Sequence, residues 1–177
     1  MNRRPAPLTV LCIAAALALG ACAPTLDWRE VRPAGSPLQL LFPCKPSAQE
    51  RRVPLAGLQA RLVLHACTAG GWTWGLAFAD VVEPARVAGA MAELAASAAA
   101  NIGAVEPRSA QVTVPGATPG AGARRWRLLG RLPDGQAVRM QLVVFSHGTR
   151  VFQATVLGPE LPDETSDIFF NALRMQP

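Results

Sequence analysis

Three segments in the second half of the chain constrain its fold more than anything else. Residues 124–132, 137–146 and 150–157 alternate apolar with other side chains, and the short gaps between them hold Pro133-Asp134-Gly135 and His147-Gly148. Period-two alternation marks half-buried strands. Asp-Gly, or a lone glycine in a tight turn, supplies the positive φ that hairpins need. Strands this close in sequence pair antiparallel, since a parallel return needs a connection of about a dozen residues or more. The sequence therefore predicts an antiparallel meander. Its expected faces are Trp126, Leu128, Val138, Met140, Leu142, Val144, Phe152, Ala154 and Val156 on one side. Arg125, Arg127, Arg131, Arg139, Gln141 and Gln153, with Val143, Phe145, Val151 and Leu157, occupy the other. A mixed second face implies a sheet partly covered on both sides.

Upstream, Leu38, Leu40 and Phe42 alternate until Pro43 and Pro46 interrupt them. Residues 49–55 and 58–67 read as a hairpin about Ala56-Gly57, and Gly70-Gly71 makes the next turn. Trp72, Trp74, Leu76 and Phe78 then share one strand face, while Thr73, Gly75, Ala77 and Ala79 leave room for close packing on the other. Pro84 suits the first turn of a helix over 84–102, ended by Gly103, with Val87, Met91, Leu94 and Ala98 on one side. Asp80 and Glu83 are placed to cap it. Residues 111–114 are expected to form a short strand. The Pro/Gly-rich segment 115–123 reads as the most flexible loop and a candidate docking site. A last helix is expected over 163–173, with Ile168, Phe169, Ala172 and Leu173 buried. Strands, helix, strands, helix give an α+β class: an antiparallel sheet with one long helix and a C-terminal helix in a layered sandwich.

Phe42-Pro43, the helix from Arg86, Pro115-Gly116, the meander and Phe169-Phe170 follow an order that resembles the Mog1/PsbP-like fold. The resemblance covers most of the chain after residue 37. It implies a binding or assembly protein, and it carries over no functional residue.

The N-terminal segment bears on location. Arg3 and Arg4 precede an apolar run over 8–20, shorter than the roughly 20 residues that span a bilayer core. A charged start, a short apolar core and small residues at the exit mark an export signal. Leu19-Gly20-Ala21-Cys22 resembles the lipobox of bacterial lipoproteins. That resemblance implies a signal peptide over 1–21, diacylglycerol on the Cys22 thiol and a membrane anchor. Ala23 after the cysteine, by resemblance to sorted lipoproteins, implies the periplasmic side of the outer membrane. Ordinary signal cleavage near Ala21-Cys22-Ala23, giving a secreted protein, stays open. Residues 22–37 read as a tether and 38–177 as one domain. Trp28 in the tether either meets lipid headgroups or packs on the domain.

Of the four cysteines, Cys12 lies in the signal and Cys22 at its end, leaving Cys44 and Cys67. An even pair outside the cytoplasm points to a disulfide. A two-residue turn at Ala56-Gly57 sets Pro46 opposite Cys67 and so brings Cys44 near it. Closing that loop is worth roughly 3 kcal/mol.

The formal net charge is +5, carried almost wholly by arginine, with Lys45 the one lysine. Such a balance admits anionic lipid or nucleic acid. Export and the lack of any nucleic-acid motif argue against the latter. His65 and His147 are the only histidines, and a metal site wants three or four ligands at supporting spacings. No phosphate loop, cofactor motif or nucleophile motif is present, so neither a metal nor a cofactor is expected and the chain reads as non-catalytic. A small envelope enzyme is the alternative; it would need a pocket joining His65 or His147 to an acid. The constellation that stands out is Arg125, Arg127, Arg131 and Arg139 on one sheet face, with Arg127 opposite Gln141 and Arg139 opposite Leu129. Guanidinium groups bind phosphate and carboxylate through paired hydrogen bonds. The expected partners are thus an envelope protein, anionic lipid or peptidoglycan.

Overall fold

A computed structural model describes residues 25–119, 122–160 and 162–176. The signal, the lipobox and Cys22 lie outside the described residues. The elements are β1 (Arg29–Val31), β2 (Leu38–Phe42), β3 (Ser47–Leu55), β4 (Leu58–Ala69) and β5 (Trp72–Asp80). A 3-10 turn (Pro84–Arg86) leads into α1 (Val87–Asn101). Then come β6 (Val105–Gln111), β7 (Arg124–Arg131), β8 (Ala137–His147), β9 (Arg150–Gly158), α2 (Asp163–Asn171) and β10 (Arg174–Met175). Seven strands form one antiparallel sheet in the order β3-β4-β5-β9-β8-β7-β6, and β1-β2-β10 form a small second sheet. The class is α+β, as expected, in three layers: α1, the large sheet, and the small sheet with α2.

Turn chemistry sets the registers. Leu55 pairs with Leu58 across Ala56-Gly57, Arg127 with Gln141, and Leu129 with Arg139. Two hydrophobic cores follow, one on each face. Trp74, Leu76, Phe78, Val143, Phe145, Phe152, Ala154 and Val156 pack against Leu38, Leu40 and Phe42 of β2 and Phe169 and Leu173 near the C-terminus. On the other face, Leu128, Met140, Leu142, Val144 and Val151 meet Ala90, Met91, Leu94, Ala95 and Ala98 of α1. The small alanines let α1 lie close. Its last turn reaches β7, where the Ile102 carbonyl accepts from Arg131 N–H at 2.7 Å. A Cβ on Gly130 would stand 2.1 Å from that oxygen, so only glycine fits.

The structure corrects several expectations. Phe152, Ala154 and Val156 share a face with Val143 and Phe145, and not with Leu142 and Val144. The loop at Gly148 holds two residues, pairing His147 with Arg150, whereas the expected faces need an odd-numbered loop. The strand foreseen at 111–114 lies earlier, at Val105–Gln111. Pro107 and a register shift between Val105 and Arg108 break its alternation. On α2 the buried positions are Ser166, Phe169 and Phe170, continued by Leu173, a run at helical spacing that leaves Ile168 exposed. Glu83 gives no capping hydrogen bond; its carboxylate lies 2.9 Å from Arg86 Nε. The presumed tether is structured from its fourth residue onward. Asp27 N–H donates to the Pro43 carbonyl, β1 pairs with β2, and Trp28 stands edge-on to Trp74 at 5.5 Å. The described part of the 115–123 loop is stitched down. Thr118 N–H donates to the Ser146 carbonyl, Met175 N–H to that of Pro115, and Gly148 N–H to the Thr118 hydroxyl.

Candidate functional site: a basic groove on the open sheet face

The Cys44–Cys67 disulfide joins the segment after β2 to β4, with Cα atoms 6.1 Å apart. The hairpin register brings these thiols together, as the sequence implied.

The two histidines have separate surroundings. His65 on β4 pairs with Ala48 and Leu76 and stacks on Phe78 at 6.2 Å, and burial lowers its pKa from 6.5. His147 ends β8, with Nδ1 2.9 Å from the Gly116 carbonyl. Neither is hydrogen-bonded to an acid among the described residues, and no group of three or more His, Cys, Asp or Glu there is placed to hold a metal ion. Among the described residues, Asp80 is the other group with a displaced pKa. Its carboxylate accepts from Val82 N–H and the Thr149 hydroxyl, both at 2.8 Å, with Arg150 at 3.8 Å. The Val82 amide is the main reason its pKa falls below the usual 3.8. That bond also holds exposed Val82 at φ 63, a conformation rare for a β-branched residue.

The four arginines expected on one face divide by role. Arg125 is nearly buried and consumed by the fold. It donates to Gln141 Oε1 at 2.5 and 3.0 Å, to Ser166 Oγ at 3.1 Å and to Asp167 at 2.5 Å, and its guanidinium lies 4.6 Å from the Phe170 ring centre. It clamps α2 to the sheet and is no anion site. Arg131 turns back to the Gly135 carbonyl of its own hairpin, 2.9 Å away. Arg127 and Arg139 remain exposed on the sheet beyond the start of α2.

There the structure adds Arg108, which sequence reading missed because β6 begins six residues before the strand expected at 111–114. Arg108 pairs directly with Arg127, and Val105 with Leu129. The face thus carries two cross-strand rows, Arg108-Arg127-Gln141 and Val105-Leu129-Arg139. With Asp163 they line a groove of about 510 Å³, within the range of small-molecule sites. Asp163, in the first turn of α2, accepts from Gln141 Nε2 at 3.0 Å and stands 3.5 Å from Arg127. Arg108 and Arg139 make no ion pair among the described residues. Among the described side chains lining the groove, three guanidiniums therefore face the carboxylate of Asp163. Like charges directly opposite on adjacent strands disfavour the empty fold, and an arriving anion relieves that repulsion. The clue in the sequence was a charged residue beside Pro107, legible only once β6 was known to be a strand.

No helix among the described residues is long and apolar enough to cross a membrane. No protein-family model matches this chain, and no curated protein matches it.

Proposed function

We propose that this chain is an exported lipoprotein, anchored through Cys22 on the periplasmic side of the outer membrane. Its domain works without chemistry of its own, as a module that binds an anionic ligand in the groove of Arg108, Arg127 and Arg139. The observation that carries the binding reading is the direct pairing of Arg108 with Arg127 beside Arg139, with Asp163 the one carboxylate among the described side chains that line the groove. Arginines at that spacing suit a group that offers two or more oxygens, such as a phosphate or carboxylate. The export reading draws support from the lipobox residues and from the Cys44–Cys67 disulfide, a bond that persists in oxidising compartments.

Two measurements test the two halves. Intact mass of the protein from its native envelope should correspond to a chain beginning at Cys22 with acyl chains attached. A chain beginning at Pro24, or one with its leader intact, refutes the anchor. In amide NMR, pyrophosphate should shift Arg108, Arg127 and Arg139 before any other region; a response elsewhere, or none, refutes the groove.

A further inference from the structure

We infer that the ligand of the groove is the phosphate headgroup of a membrane amphiphile, held by the arginines with the start of its chain against Leu129 and Val105. This assignment rests on the anion-binding reading above and adds the ligand class to it.

The first observation is the pairing of cation with exposed hydrocarbon. Val105 is 68% and Leu129 56% exposed, and both lie in the row that ends on Arg139. The arginine row runs beside it, about 7 Å along the strands. A free inorganic anion would use only the arginines. An amphiphile uses both rows, since its phosphate and its first carbons are about that far apart. Among the described lining side chains, Arg108, Arg127 and Arg139 against Asp163 favour a headgroup with net negative charge; the ammonium of a zwitterionic headgroup meets the same arginines unfavourably.

The second observation is position. Arg139 pairs with Gly158, and Leu157 with Thr73, so the groove lies at the end of the sheet marked by the Gly70-Gly71 turn. Leu26 packs at that same turn, where a Cβ on Gly70 would stand 3.0 Å from its Cδ2. Leu26 and Trp28 belong to the core on the groove's own face of the sheet. From β5 to β8 is two strand spacings, about 10 Å. Cys22 precedes Leu26 by four residues, a reach of at most about 14 Å. An acyl chain on Cys22 therefore keeps this end of the domain, and the groove with it, at headgroup depth.

The test uses the full chain in non-ionic detergent micelles doped with a phosphatidic acid that carries a photoactivatable diazirine near its headgroup. A phosphatidylcholine with the same diazirine serves as comparison. The phosphatidic acid probe should label the segments holding Val105 and Leu129 about tenfold more than the phosphatidylcholine probe. Arg108→Ser with Arg139→Ser should cut that labelling about tenfold or more, the loss expected when hydrogen bonds to a charged group are removed, while the melting temperature stays level or rises. Leu129→Ser should reduce it too. Equal labelling by both probes, labelling away from the groove, or full displacement by equimolar inorganic phosphate would overturn the assignment. If pyrophosphate shifts the groove amides but the probes do not discriminate, the lipid assignment alone fails. If neither responds, the anion-binding reading fails with it. The mass measurement at Cys22 judges the anchor separately.

Discussion

Arg125 and Arg127 stand two residues apart on one strand, point the same way and meet opposite environments. One is enclosed by Gln141, Ser166, Asp167 and the Phe170 ring; the other lies open beside Asp163. The sequence shows that both share a face, but only the seat of α2 decides which is spent on the fold. Titrating groups make a second contrast at this scale. His65 is held below its ordinary pKa of 6.5 by burial. As pH falls below 6.5 the unfolded chain takes up this proton first, so stability declines through the window between the ordinary and lowered values and levels off beneath it. Asp80 acts in the reverse sense. Its contribution is present above its usual value of 3.8 and is lost as pH falls through its lowered pKa. Urea midpoints at pH 7.5 and 5 should therefore differ by less in His65→Gln than in the parent. An unchanged difference would assign the slope to other groups.

Among elements, α2 depends on a polar clamp as much as on its apolar side. Arg125→Met keeps much of the packing against Phe170 but leaves Gln141, Ser166 and Asp167 without their donor. Lost hydrogen bonds to a charged group cost about 1.5–3 kcal/mol. Denaturation should show a loss of that size, and amide exchange in α2 should quicken more than in α1. The clamp also marks where the sequence stops being legible. The β3–β4 and β7–β8 registers could be read because Ala56-Gly57 and Pro133-Asp134-Gly135 fix loop length, and loop length fixes pairing. The faces of β9 were misread because the His147 turn is one residue shorter than those faces require. The strand β6 is expected too late, at 111–114, because Pro107 and a register shift hide its alternation, and Arg108 falls outside that expected range. On α2, Ile168 looked more apolar than Ser166, yet Ser166 is the residue Arg125 needs inside. On α2 a tertiary partner, and not local pattern, chooses the side; on β6 and β9 a register shift and a turn one residue short displace the pattern itself.

At the scale of the molecule, two cores share one sheet, and the Cys44–Cys67 bond ties the small sheet's exit to the large one. Replacing both cysteines by serine releases a loop of 23 residues' separation, worth about 3 kcal/mol on the chain-entropy model. Urea unfolding should stay a single transition with its midpoint lowered accordingly. Two separated transitions would mean that the small sheet is held by the sulfur link alone. The large sheet also has two flanks, β3 and β6, and each carries a proline, Pro54 on one and Pro107 on the other. Arg51, Arg52 and Glu50 line the first, and the kink before Arg108 bends the second. A neighbouring copy approaching edge-on meets fixed charge along β3 and an amide row interrupted by Pro107 and the register shift along β6. Crowding brings such molecules together without offering a template on which strands could be added, so high local density does not turn into fibrous growth.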